Sequence, residues 1–73
     1  MKHTDSSNTA IRLGDIVLFD DGEKIGLEGA VEGVFVYNMY YKQYGFSLDS
    51  GMFISYELAK HHEVSFFKVY DHD

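Results

Sequence analysis

Apolar and polar positions alternate in short runs from Ile11 onward, whereas the first ten residues, MKHTDSSNTA, follow no period. Residues 1–10 therefore read as a flexible, loosely attached arm. The first run, Ile16 to Phe19, is β-branched and aromatic. Turn residues bound it on both sides, Gly14-Asp15 before and Asp20-Asp21-Gly22 after, so it predicts a strand. The next stretch, GLEGAVEGVFVY, carries glycine at 26, 29 and 33. In a helix each would cost about 1 kcal/mol against alanine, while in a bent strand glycine marks a bulge or a close backbone approach. Residues 28–37 are expected as a curved strand, with Val34 and Val36 on one face and Phe35 and Tyr37 on the other.

NMYYK follows as a loop, and residues 41–48 then predict a third strand with Tyr44, Phe46 and Leu48 on one face. Asp49-Ser50-Gly51 supplies a tight turn in which Gly51 can take a positive φ. Residues 52–55 form a fourth strand, YELAKHH makes one helical turn, and EVSFFKVY closes the chain as a fifth strand. In that strand Val64, Phe66 and Lys68 share a face, and the adjacent Phe66 and Phe67 imply that both faces are partly covered. The expected fold is all-β: five antiparallel strands with one short helical turn before the last. Residues 11–70 form the domain, and residues 71–73 a flexible C-terminus. Closing such short strands into a small barrel would hide their edges.

Length and composition narrow the picture further. A chain of 73 residues holds one domain, and 45% hydrophobic with 25% charged residues marks it as globular. No Cys is present, which excludes disulfides and thiolate zinc sites, and six Phe with six Tyr supply the bulk for a small core. No apolar run has the length of a membrane span and the start lacks a signal-type core, so a cytoplasmic location without a membrane role is expected. Twelve acidic against six basic residues give a net charge of -6. That balance disfavours binding along a phosphate backbone and points to protein partners, including ones with basic surfaces.

The order LGDIVLF, GLEGAVEGV, YGFSLDSGMFISYEL resembles SH3-like small barrels, a superfamily that includes KOW-type domains and small prophage proteins. The matching positions are Gly14, Asp15, Val17, Gly26, Gly29, Val31, Phe46, Leu48, Asp49, Gly51, Glu57 and Leu58. These are turn and core positions and bear on how the chain bends. The resemblance implies an SH3-like barrel over residues 13–70 and a phage or mobile-element protein that occupies and modulates or inhibits a host protein. The chain departs from the family where function is concerned. It lacks the basic loops of ribosomal KOW domains and the Trp and Pro of signalling SH3 grooves.

Motifs for chemistry are sparse. His61, His62 and Glu63 are adjacent and would point to opposite faces of a strand, and Asp71, His72 and Asp73 lie at the chain end. DDGEKIG lacks the spacing of a calcium loop, GLEGAVEG lacks the Lys-Ser/Thr of a phosphate loop, and no Gly-x-Ser-x-Gly occurs. The expectation is a non-enzymatic protein with no cofactor and no metal.

YNMYYKQY is richer in tyrosine than a connection needs. Tyr37, Met39, Tyr40, Tyr41 and Tyr44, joined by the acidic turn Asp20, Asp21 and Glu23, form the expected partner-binding face. Two other readings stand beside it. Asp15, Asp20, Asp21, Glu23, Glu28 and Glu32 could mimic nucleic-acid phosphates and block a DNA-binding or defence protein. Alternatively, KOW-like loops could bind nucleic acid directly. A homodimer through an edge strand or a tyrosine patch is also left open.

Overall fold

The computed structural model describes residues 3–69. Tyr70, the proposed C-terminal tail 71–73, and Met1 and Lys2 of the proposed arm lie outside them. Five antiparallel strands form one sheet: β1 (Ile16–Phe19), β2 (Val31–Asn38), β3 (Gln43–Leu48), β4 (Phe53–Ser55) and β5 (Phe66–Lys68). One helix, α1 (Tyr56–His61), precedes the last strand. Among the described residues no helix is long and apolar enough to cross a membrane.

β1 starts and stops where its flanking turn residues predict. β2 begins at Val31 rather than at residue 28, and β5 holds only three residues. The acidic turn contains a feature the apolar pattern does not signal, a 3-10 turn over Gly22–Ile25. The β3–β4 turn has Gly51 at φ 89°, the left-handed conformation its sequence requires. α1 opens on Ser55, whose hydroxyl accepts the Leu58 N–H at 3.0 Å and so caps the helix.

Alternation puts Val17, Phe19, Phe35, Phe46 and Phe66 on the inner face, where all five are fully buried. Three of the rings interlock: Phe19 meets Phe46 edge-on at 5.2 Å, and Phe66 lies 5.0 Å from Phe46 and 5.7 Å from Phe19. Leu48 and Ile54 join this core as their strand positions predict. The opposite face keeps Val34 and Phe67 exposed, so the cover expected there is only partial.

Two expectations are corrected. The sheet does not close: its order is β4-β3-β2-β1-β5, with β4 and β5 at opposite edges. α1 packs on the inner face instead, with Tyr56 against Phe35 and Phe46 and Ala59 buried. Its Tyr56 ring packs 6.2 Å from Phe66, and Lys60 Nζ sits 5.3 Å above the same ring. Residues 3–10 are likewise not a loose arm. Asp5 is only 3% exposed, and its carboxylate accepts the N–H groups of Ser7, Thr9 and Lys68 at 2.8–2.9 Å. Ser6 exchanges two hydrogen bonds with Phe66, and Tyr56 Oη both accepts from Thr4 N–H and donates to Thr4 O. Side-chain hydrogen bonding to a strand edge is invisible to a periodicity reading, because these polar residues are ordered by partners far away in sequence.

Candidate functional site

The tyrosine-rich stretch is the tip of the β2–β3 hairpin. Asn38 pairs with Gln43, leaving residues 39–42 as the loop. Asn38 Oδ1 accepts the N–H groups of Tyr40 and Tyr41 at 2.9 and 3.0 Å, which winds the loop into an Asx turn. Lys42 completes the reversal at φ 57°. Backbone geometry therefore holds Met39 and Tyr40 outward, at 81% and 85% exposure.

The remaining tyrosines divide between two faces of the hairpin. Tyr37 and Tyr44 are directly opposite each other across the strands, with ring centroids 4.9 Å apart. Tyr44 also packs on Phe35 at 5.9 Å and on His3 at 4.6 Å, so it is half core and half surface. Tyr41 turns to the other face. It stacks on Phe53 at 5.9 Å with planes 16° apart and meets Tyr40 edge-on at 4.9 Å. Phe53 in turn lies across Gly45, where a Cβ would run into Ile54 O and come within 2.5 Å of the Phe53 ring. Only glycine leaves room for that crossing.

His3 joins the inner side of the hairpin, with Tyr56 edge-on at 4.6 Å and Phe35 at 5.1 Å. Burial among these rings holds its pKa below the ordinary value. His3, Lys42, Gln43, Tyr44, Tyr56 and Glu57 line a hollow beside it. Sequence reasoning missed His3 and Phe53. Phe53 was legible in principle, because alternation about the buried Ile54 puts it on the outer face.

Asp20, Asp21 and Glu23 do not join this surface. Phe19 is paired with Val31 at the start of β2, while the tyrosine loop begins at the other end of that strand. Seven residue-to-residue steps along the strand separate the two ends by roughly 23 Å. Asp21 is also committed internally, since it accepts the Ser65 N–H and pairs with Lys24 at 3.1 Å. The Ser65 hydrogen bond, aided by Lys24, holds its pKa low. Asp15 is held low in the same way, first by the Arg12 N–H and then by Lys68, whose Nζ lies 3.3 Å away. Asp20, Glu23, Glu28 and Glu32 remain as the exposed acids of that half.

Among the described residues no three His, Asp or Glu side chains converge as metal ligands would. His61 and His62 stand edge-on at 5.2 Å at the end of α1. No protein-family model, characterised protein or solved structure matches this chain.

Proposed function

We propose that this chain is a non-enzymatic protein-interaction module whose binding element is the tip of the β2–β3 hairpin. One observation carries the reading: large exposed side chains are held in a fixed backbone turn. Met39 and Tyr40 project from a loop wound by Asn38 Oδ1, and Tyr41 is braced on Phe53. Exposed aromatic groups cost little rotamer entropy on binding, and a loop already ordered costs less still. The frame is proposed to be SH3-like. Five antiparallel strands and a helix placed immediately before the last strand support that reading.

Protein surface is favoured as the ligand over nucleic acid. Among the described residues Lys42 is the one cation within the tyrosine loop, and stacking sites for single strands normally combine aromatics with a positive groove. Mimicry of nucleic acid ranks below the hairpin reading because Asp15 and Asp21 are spent on Lys68 and Lys24.

The test is capture of partner proteins on the immobilised chain, with Tyr40→Ala and Tyr41→Ala as matched baits. A protein retained by the parent at moderate salt and lost from both variants supports the hairpin. Equal retention by all three baits would remove it. Retention that vanishes with modest salt while ignoring both substitutions would favour the acidic surface instead.

A further inference from the structure

The two edge strands differ in how their outward main-chain groups are met. In the β1–β5 pair, Asp20 N–H donates to Ser65 O and Val69 N–H to Ile16 O. By the alternation of an antiparallel ladder, Phe66 and Lys68 then turn their main-chain groups outward. Ser6 Oγ accepts the Phe66 N–H, Ser6 N–H donates to Phe66 O, and Asp5 accepts the Lys68 N–H. The β5 edge is closed by the segment that docks on it.

At β4 the same logic gives the opposite result. Leu48 N–H donates to Met52 O at 2.9 Å, so with Phe46 opposite Ile54 the next bonded pair falls there. Phe53 N–H, Phe53 O and Ser55 N–H consequently point away from β3. Among the described residues no hydrogen bond reaches these three groups from outside the β3–β4 pair. Phe53-Ile54-Ser55 is short, which itself limits pairing along the edge, but it carries no Lys, Pro or bulge. A groove runs along it, bordered by Asn38, Tyr41, Gln43, Met52 and Leu58, and no charged residue lines it in a chain of net charge -6.

We propose that a second copy of this chain docks on this edge, β4 against β4 about a two-fold axis, joining two five-stranded sheets into one. Spare N–H and C=O groups in alternation are matched by an extended main chain, and a second copy brings the same complementary set. The groove itself brings no carboxylate to the contact, and on the other side of Ser55 the Glu57 carboxylate shares its hollow with Lys42. Tyr41 with Phe53, and Met52 with Leu58, supply the apolar cover that three residues of strand pairing cannot. A small domain without a disulfide gains most from such a partner. This pairing goes beyond the hairpin-tip reading; it shares Tyr41 with that reading but does not use Tyr40, so Tyr40→Ala separates the two.

The experiment is sedimentation velocity of the full chain over a wide concentration range, with Ser55→Pro and Ser55→Ala compared. Ser55 has φ -69°, which proline adopts, so Ser55→Pro deletes the outward N–H. Both variants lose the helix cap, and Ser55→Ala keeps the N–H. The parent and Ser55→Ala are expected to move from the 8.4 kDa chain mass to twice that value as concentration rises. Two-fold symmetry doubles the lost contact, so Ser55→Pro should weaken the association by about tenfold or more. Amide exchange on the parent gives an independent reading: Phe53 and Ser55 should slow with concentration while Tyr40 does not. A parent that stays at the chain mass, a Ser55→Pro variant that pairs like Ser55→Ala, or exchange at Phe53 and Ser55 that ignores concentration would each overturn the pairing. None of these results depends on Tyr40→Ala, which tests the hairpin tip alone.

Discussion

Asp5→Ala tests whether residues 3–10 belong to the folded domain. The Asp5 carboxylate is almost wholly buried and accepts three main-chain N–H groups, two local and one from Lys68 on the β5 edge. Alanine removes both acceptor oxygens, and with them all three hydrogen bonds, and leaves the Lys68 N–H facing a void. Hydrogen bonds to a charged group contribute roughly 1.5–3 kcal/mol each, and a loosened segment recovers part of that from water, so the net loss should be about 2–4 kcal/mol. A chain of this length has about 4–11 kcal/mol in total. Urea unfolding followed by circular dichroism should therefore show the midpoint falling by ~2 M or more, taking a slope near 1 kcal/mol per molar. Asp5→Asn should fall between parent and alanine, because its carbonyl can replace Oδ1 for Ser7 and Thr9 while its amide opposes the Lys68 donor. Burial alone would raise the Asp5 pKa, but the N–H groups of Lys68, Thr9 and Ser7 outweigh it and hold the group below its ordinary value. A lowered folded pKa gives stability that is present above the unfolded pKa and disappears as pH falls through the folded one. Parent and Asp5→Ala should accordingly converge in strong acid. An alanine variant within ~0.5 kcal/mol of the parent at neutral pH would refute the docked segment and restore the loose arm.

Three further outcomes are expected. Gly45→Ala should destabilise the chain by about 1–3 kcal/mol, read as a lower melting temperature, because its Cβ has no space beneath Phe53 and Ile54 O. Tyr40→Ala should leave the urea midpoint unchanged, whereas Tyr44→Ala should lower stability by about 1–3 kcal/mol through its lost packing on Phe35 and His3. A larger effect at Tyr40 than at Tyr44 would contradict the division of the tyrosines. Burial lowers the His3 pKa, so the parent should lose stability as pH drops below the ordinary histidine value of about 6.5. His3→Phe should flatten that part of the profile, and an unchanged slope would show that His3 is not held among the rings.

The local order of this chain was legible in its sequence. β-Branched and aromatic runs bounded by Asp and Gly place β1, β3, β4 and the turn at Gly51, since period and turn chemistry act over a few residues. The same period identifies Phe46, Leu48 and Ile54 as core. The surplus of tyrosine around one turn singled out the hairpin tip, whereas which of its rings stand exposed came from the structure. What tertiary structure alone decided lies in contacts between distant positions. Asp5 reaches Lys68, Ser6 reaches Phe66 and Thr4 reaches Tyr56, so a stretch with no period becomes the cover of one sheet edge. The sheet stays open, with β4 and β5 at opposite edges and α1 packed on its inner face, a matter of how short strands and a helix share space rather than of any local pattern. The strand register sets the acidic turn and the tyrosine hairpin at opposite ends of β2, which residue type could not reveal. Alternation tells which way a side chain faces, but only the fold determines what stands there to meet it.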